Sequence, residues 1–219
     1  YDDFEQVSMK KGNWLVLART RFMLNELEDK LYSQGLYYEN KFKTNNEQEL
    51  YLAIIDWEDL RNNKVINYEQ IKRIASFMSP RNYQKEELQY LDKDASYHMN
   101  ELYQKKGLNT QKVWYEALDA APEHKIRYIR RMRENGEQLN KKPRITLSTI
   151  HGVKGGEQDN VILLTDLSKN TQRNYEQNPD DENRLFYVGA TRTKNHLHII
   201  RPKDIYKGYK IWKTHTKNK

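Results

Sequence analysis

Short runs in which apolar residues follow one another without polar alternation constrain this chain more than any other feature. Residues 13–18 (NWLVLA) and 161–165 (VILLT) have this form, the mark of strands covered on both faces in a parallel sheet. Residues 145–150 (ITLSTI), between Pro143 and Gly152, and residues 196–200 (HLHII), ending at Pro202, read as two more strands. Helices are legible between them. Thr20 precedes Phe22, Leu24, Leu27 and Leu31 at helical spacing, and Gly35 follows as a left-handed cap. Asp180 and Asp181 open a second helix reaching about Lys194, with carboxylates where the helix dipole favours them. Residues 166–179, rich in Asn, Gln and Ser, read as a mobile polar loop. Strand, helix and strand in this order specify an α/β domain.

The middle of the chain has another character. Residues 48–60 repeat apolar side chains at helical spacing and close at Asn62 and Asn63. Residues 65–140 show no strand pattern, only candidate helices at 68–78, 84–104, 111–120 and 123–135. This predicts a discontinuous α/β domain, residues 1–64 and 141–219, carrying a small helical insertion, residues 65–140. Tyr83, Tyr90 and Tyr97 recur at intervals of seven. They read as one helix packing on its neighbours, or else as a stacking surface for bases.

Composition narrows the setting. A chain of 219 residues is long enough to bury a core without staples, and the lack of cysteine excludes disulfides and thiolate metal sites. No secretory signal is visible, and no apolar run approaches the roughly 18 residues of a membrane span. A cytoplasmic location is the expectation. The first residue is Tyr1 rather than Met, so a piece of a longer product, or a processed one, is expected. Of the net charge of +7, residues 124–144 hold eight basic and two acidic side chains. Such a stripe suits nucleic acid, and it equally suits a solvated helix face.

Two stretches carry candidate chemistry. After the strand at 145–150, His151, Lys154, Gly155, Gly156 and Glu157 place donors, permissive backbone and a carboxylate in one loop. In the helix DDENRLFYVGATRTK, Arg184, Val188, Thr191 and Arg192 fall near one stripe, and Gly189 in its interior implies close packing. Arg192 offers a rigid fork of donors to a phosphate. Together, TLSTIHGVKGGEQDNVILL and DENRLFYVGATRTKNHLHII resemble motifs V and VI of the UvrD/Rep/PcrA-type superfamily 1 DNA helicases. The shared patterns are T-x-H-x-x-K-G-x-E and R-x-x-Y-V-G-x-T-R. WLVLARTRFMLNELEDKL resembles the strand and helix before that family's helical insertion, and the likeness covers about residues 13–62 and 144–201.

The resemblance implies the second RecA-like motor domain of a P-loop NTPase, a parallel sheet with flanking helices and an all-helical insertion. It implies that Arg192 is the catalytic arginine reaching the γ-phosphate of ATP, with Gly155 and Glu157 beside the nucleotide. It further implies DNA contacts at Arg19, Thr20, Thr149, His151 and Glu182, and 3′ to 5′ travel. Some positions depart from the family. Gly156 stands where leucine is usual, Gln158 where an aromatic residue is usual, and Arg21 where asparagine is frequent. The insertion is also much shorter than in well-known members.

A motor of this class needs G-x-x-x-x-G-K-[ST] to cradle phosphates and place magnesium, yet none of the nine glycines is followed by lysine. ATP with Mg²⁺ is therefore expected to be held mainly by an N-terminal motor domain, and the chain alone is expected to be inactive. Single-stranded or partly duplex DNA and that N-terminal domain are the expected partners. Two other readings stay open at this point: a stand-alone nucleic-acid-binding module with a helicase-like fold, and an α/β domain whose glycines and arginines are structural.

Overall fold

A computed structural model describes residues 1, 3–43, 48–153, 155–204 and 206–211. In chain order the elements are β1 (Trp14–Ala18), α1 (Asn25–Gln34), β2 (Tyr38–Asn40), α2 (Gln48–Arg61), β3 (Ile66–Asn67), α3 (Tyr68–Ser76), β4 (Ser96–Tyr97), α4 (Met99–Lys105), α5 (Trp114–Ala117), α6 (Glu123–Glu134), β5 (Ile145–Thr149), β6 (Gln158–Leu164), α7 (Lys169–Gln177), α8 (Asp180–Ala190) and β7 (Thr193–Ile200). They form two compact units. The first comprises Tyr1–Thr44, Glu134–Glu137 and Lys142–Lys219, and the second Asn45–Arg133 and Gln138–Lys141.

The first unit is a five-stranded sheet in the order β2-β5-β1-β6-β7, with every neighbouring pair parallel. It is the α/β, RecA-like architecture. The unbroken apolar run of β1 has a direct cause. Trp14, Val16 and Ala18 pack with Leu24, Leu27 and Leu31 of the first helical segment, whereas Leu15 and Leu17 pack with Phe186 of α8 and with Leu167. Both faces are covered, so period-2 alternation has no polar face to show. Gly35 caps α1 at φ 66° and donates to the carbonyls of Leu31 and Tyr32, as its position predicts.

Five features of this unit differ from expectation. Residues 21–24 form a 3₁₀ turn ahead of α1, and Phe22, assigned to the buried stripe, is 61% exposed. Residues 166–179 are ordered as α7, capped by Ser168, whose hydroxyl accepts from the Thr171 N–H at 3.1 Å. α8 stops at Ala190, because the Arg192 carbonyl accepts from Gln158 and Thr193 pairs with Gln158 to begin β7. Sheet pairing takes the backbone groups that a longer helix would use. β2 is an added edge strand too short to show a pattern. Arg144, counted in the basic stripe, is internal scaffolding: it binds Glu137 at 2.6 Å and the carbonyls of Met9 and Gly12.

The second unit is mainly helical and includes α2, which the expected boundary at residue 64 grouped with the sheet. α2 and α3 are tied by Asp56, which accepts from Gln70 Nε2 at 2.7 Å and lies 3.1 Å from Arg73. Burial pushes the Asp56 carboxyl up from its ordinary value, against the pull of Gln70 and Arg73. The expectation of no strand here is corrected by the antiparallel ribbon of β3 and β4. Nor is 84–104 one helix. Residues 85–90 are a 3₁₀ segment, and the Asp92 side chain accepts from the Asp94 N–H, which turns the chain before α4. The tyrosine triplet is accordingly split, Tyr83 and Tyr97 being buried and Tyr90 66% exposed.

Candidate nucleic-acid and nucleotide edges

The parallel sheet sorts the expected site residues by which end of a strand they follow. β1 and β5 run side by side with Ala18 opposite Thr149, and the Ile150 N–H donates to the Ala18 carbonyl at 3.0 Å. Arg19 and Thr20 therefore emerge beside Ile150 and His151 at the carboxyl edge. An open cleft of about 700 Å³ lies there, lined by Arg19, His151, Asn174, Asn178, Arg184 and Val188 among others.

Within this cleft Arg19 is fixed by Glu182 of α8. Its Nε donates to Oε2 at 2.7 Å and its Nη2 to Oε1 at 2.8 Å, a two-point pairing that sets the guanidinium plane. Glu182 is 6% exposed. Both of its carboxylate oxygens are engaged by Arg19. His151 is exposed. Thr149 is 9% exposed, and its hydroxyl accepts from the Gly152 N–H at 3.1 Å, closing the turn that presents His151. Thr20 Oγ1 is buried with no hydrogen-bond partner among the described residues.

The remaining residues lie at the opposite edge. Residues 150–157 carry the chain from the end of β5 to the start of β6, so Gly155 and Glu157 approach the amino end of that strand. There the Gln158 N–H donates to the Arg192 carbonyl at 3.0 Å, which brings the chain beside Glu157 against Arg192. Gly155 has φ 70°, a left-handed conformation that suits glycine. Glu157 is exposed and Arg192 half-buried. Arg192 Nε donates to the Val188 carbonyl at 3.2 Å, holding the guanidinium base on the end of α8. No carboxylate pairs with it among the described residues. Lys154 lies outside the described residues.

The resemblance divides this stretch between DNA at Thr149 and His151 and the nucleotide at Gly155 and Glu157; the topology lays the first pair at the carboxyl edge and the second toward the amino edge. Sequence reading missed the contribution of α7, whose Asn174, Gln177 and Asn178 line the cleft. The available signal was Ser168 three residues before Thr171, a usable N-cap in a segment otherwise read from its polarity.

The family model for the UvrD-like helicase C-terminal domain matches residues 5–204. No curated protein matches the chain. The match spans both edges of the sheet and the helical unit, and it agrees with the parallel α/β architecture and with the two motifs that supply His151, Glu157 and Arg192. The chain belongs to the UvrD-like helicase C-terminal domain family.

Proposed function

We propose that this chain is the second motor domain of an ATP-dependent DNA helicase, gripping single-stranded DNA at the carboxyl edge of its sheet and completing an ATP site at the amino edge. The observation that carries the reading is the connection at residues 150–157, which joins the two edges directly across β1. Under this reading, a shift of Glu157 or Arg192 toward a nucleotide reaches His151 along that connection.

The residues present suit these tasks. Arg19, locked by Glu182, keeps its Nη1 edge clear of that pair and available to a DNA phosphate, and His151 adds an exposed imidazole. Arg192 is a cation without a carboxylate partner among the described residues, carried on the end of a helix. A preorganised guanidinium of this kind stabilises negative charge that develops during phosphoryl transfer. Glu157 stands ready to accept hydrogen bonds from a sugar hydroxyl. ATP would supply the transferable phosphoryl group and its magnesium would neutralise phosphate charge, and an N-terminal motor domain would hold most of both.

Binding of a labelled oligothymidylate to this chain at low salt tests the carboxyl edge. His151→Ala is expected to weaken it about 3- to 10-fold, the scale of one ordinary net hydrogen bond. Absence of binding by the unaltered chain, or indifference to His151, would remove the strand-gripping role.

A further inference from the structure

Phe22 lies on the 3₁₀ turn that follows β1, between Thr20 and Leu24. Leu24 is fully buried and Met23 partly so, and the Met23 N–H donates to the Thr20 carbonyl at 3.3 Å, so the turn is anchored. Phe22 itself is 61% exposed. Burying a phenylalanine side chain stabilises a fold, a contribution this position does not make. One exposed apolar residue needs no explanation by itself; its surroundings here supply one.

Arg21 and Arg19 flank the turn. Arg21 is held over the ring of Phe42 at 4.2 Å, and Arg19 is held by Glu182. Phe42 follows β2, and its Cζ lies 3.1 Å from where a Cβ on Gly152 would sit, so the ends of β2, β5 and β1 converge. Three carboxylates of this unit are engaged by cations: Glu182 by Arg19, Glu26 by Lys203, and Glu28 by Lys43. An exposed aromatic ring on an anchored turn, next to two oriented guanidinium groups in the chain, is suited to take a base on its face with phosphates nearby.

We propose that Phe22 is a stacking platform for one nucleobase of a bound single strand, with Arg21 as a phosphate contact beside it. The proposal rests on the reading of the carboxyl edge as the strand track and adds to it a contact with bases. Stacking on one aromatic face tolerates every base, so the contact contributes affinity without sequence preference.

The test compares two labelled oligonucleotides of equal length, oligothymidylate and its abasic analogue, by fluorescence anisotropy with the 219-residue chain. Phe22→Ala and Phe22→Leu are expected to weaken oligothymidylate binding roughly 5- to 150-fold and to leave the abasic strand unchanged. Phe22→Tyr should retain affinity. Arg21→Ala should weaken both strands and lower the salt-dependence slope by about 0.7, whereas the Phe22 variants should leave the slope unaltered. Equal losses on both strands, full affinity in Phe22→Leu, or no loss in Phe22→Ala would overturn the platform while leaving the track reading in place. Failure of the unaltered chain to bind either strand would overturn both.

Discussion

At the residue scale the structure turns on pairings between side chains far apart in sequence. Arg19 and Glu182 are 163 positions apart, and no periodicity or motif spacing could have joined them. The sequence identified both as candidates for DNA contact; the fold assigns one to support the other. With Glu182 6% exposed, Glu182→Ala leaves a partly buried guanidinium without its counter-charge. The expected destabilisation is about 3 kcal/mol, read as a lower urea midpoint, together with weaker binding of single-stranded DNA. A loss below about 1 kcal/mol, the level of an exposed pair, would contradict the assignment. Phe22 shows the converse limit. Its spacing fits the buried stripe of α1, but the chain leaves β1 through a 3₁₀ turn, and the changed pitch carries that position into solvent.

At the element scale, strands covered on both faces were the most legible parts of the fold. β1, β5 and β6 fall where the apolar runs lie, because sheet burial leaves a direct mark on composition, and the edge strand β7 is buried only toward its end at Ile200. Elements set by side-chain capping or by a partner strand were less legible. α7 depends on one serine hydroxyl, β2 on pairing with β5, and the end of α8 on the pairing that starts β7. The glycine inside α8 was legible as a packing site, and the reason is now specific. A Cβ on Gly189 would lie 3.1 Å from Leu163 Cδ1 and 3.3 Å from Ile150 Cγ2, so the helix rests on β6 and on the residue preceding His151. Gly189→Val should cost about 1–3 kcal/mol by overpacking, measured by thermal or chemical unfolding. Unchanged stability would mean that the helix can move away from the sheet without loss.

At the scale of the whole molecule, under the proposed function the parallel sheet keeps two chemistries apart and the connection from β5 to β6 links their edges. Composition and motif order indicated both tasks. Their division between opposite edges was not legible until strand order was known, because a crossover from β5 past β1 to β6 is a property of topology. The most direct test of this division restores an N-terminal motor domain bearing the phosphate-binding loop and measures DNA-stimulated ATP hydrolysis and DNA affinity in the same variants. Arg192→Ala is expected to lower turnover by about 10³-fold with single-strand affinity preserved, and His151→Ala to weaken the strand with turnover at saturating DNA largely kept. Unchanged turnover in Arg192→Ala, or parallel loss of both properties in each variant, would contradict the two-edge account.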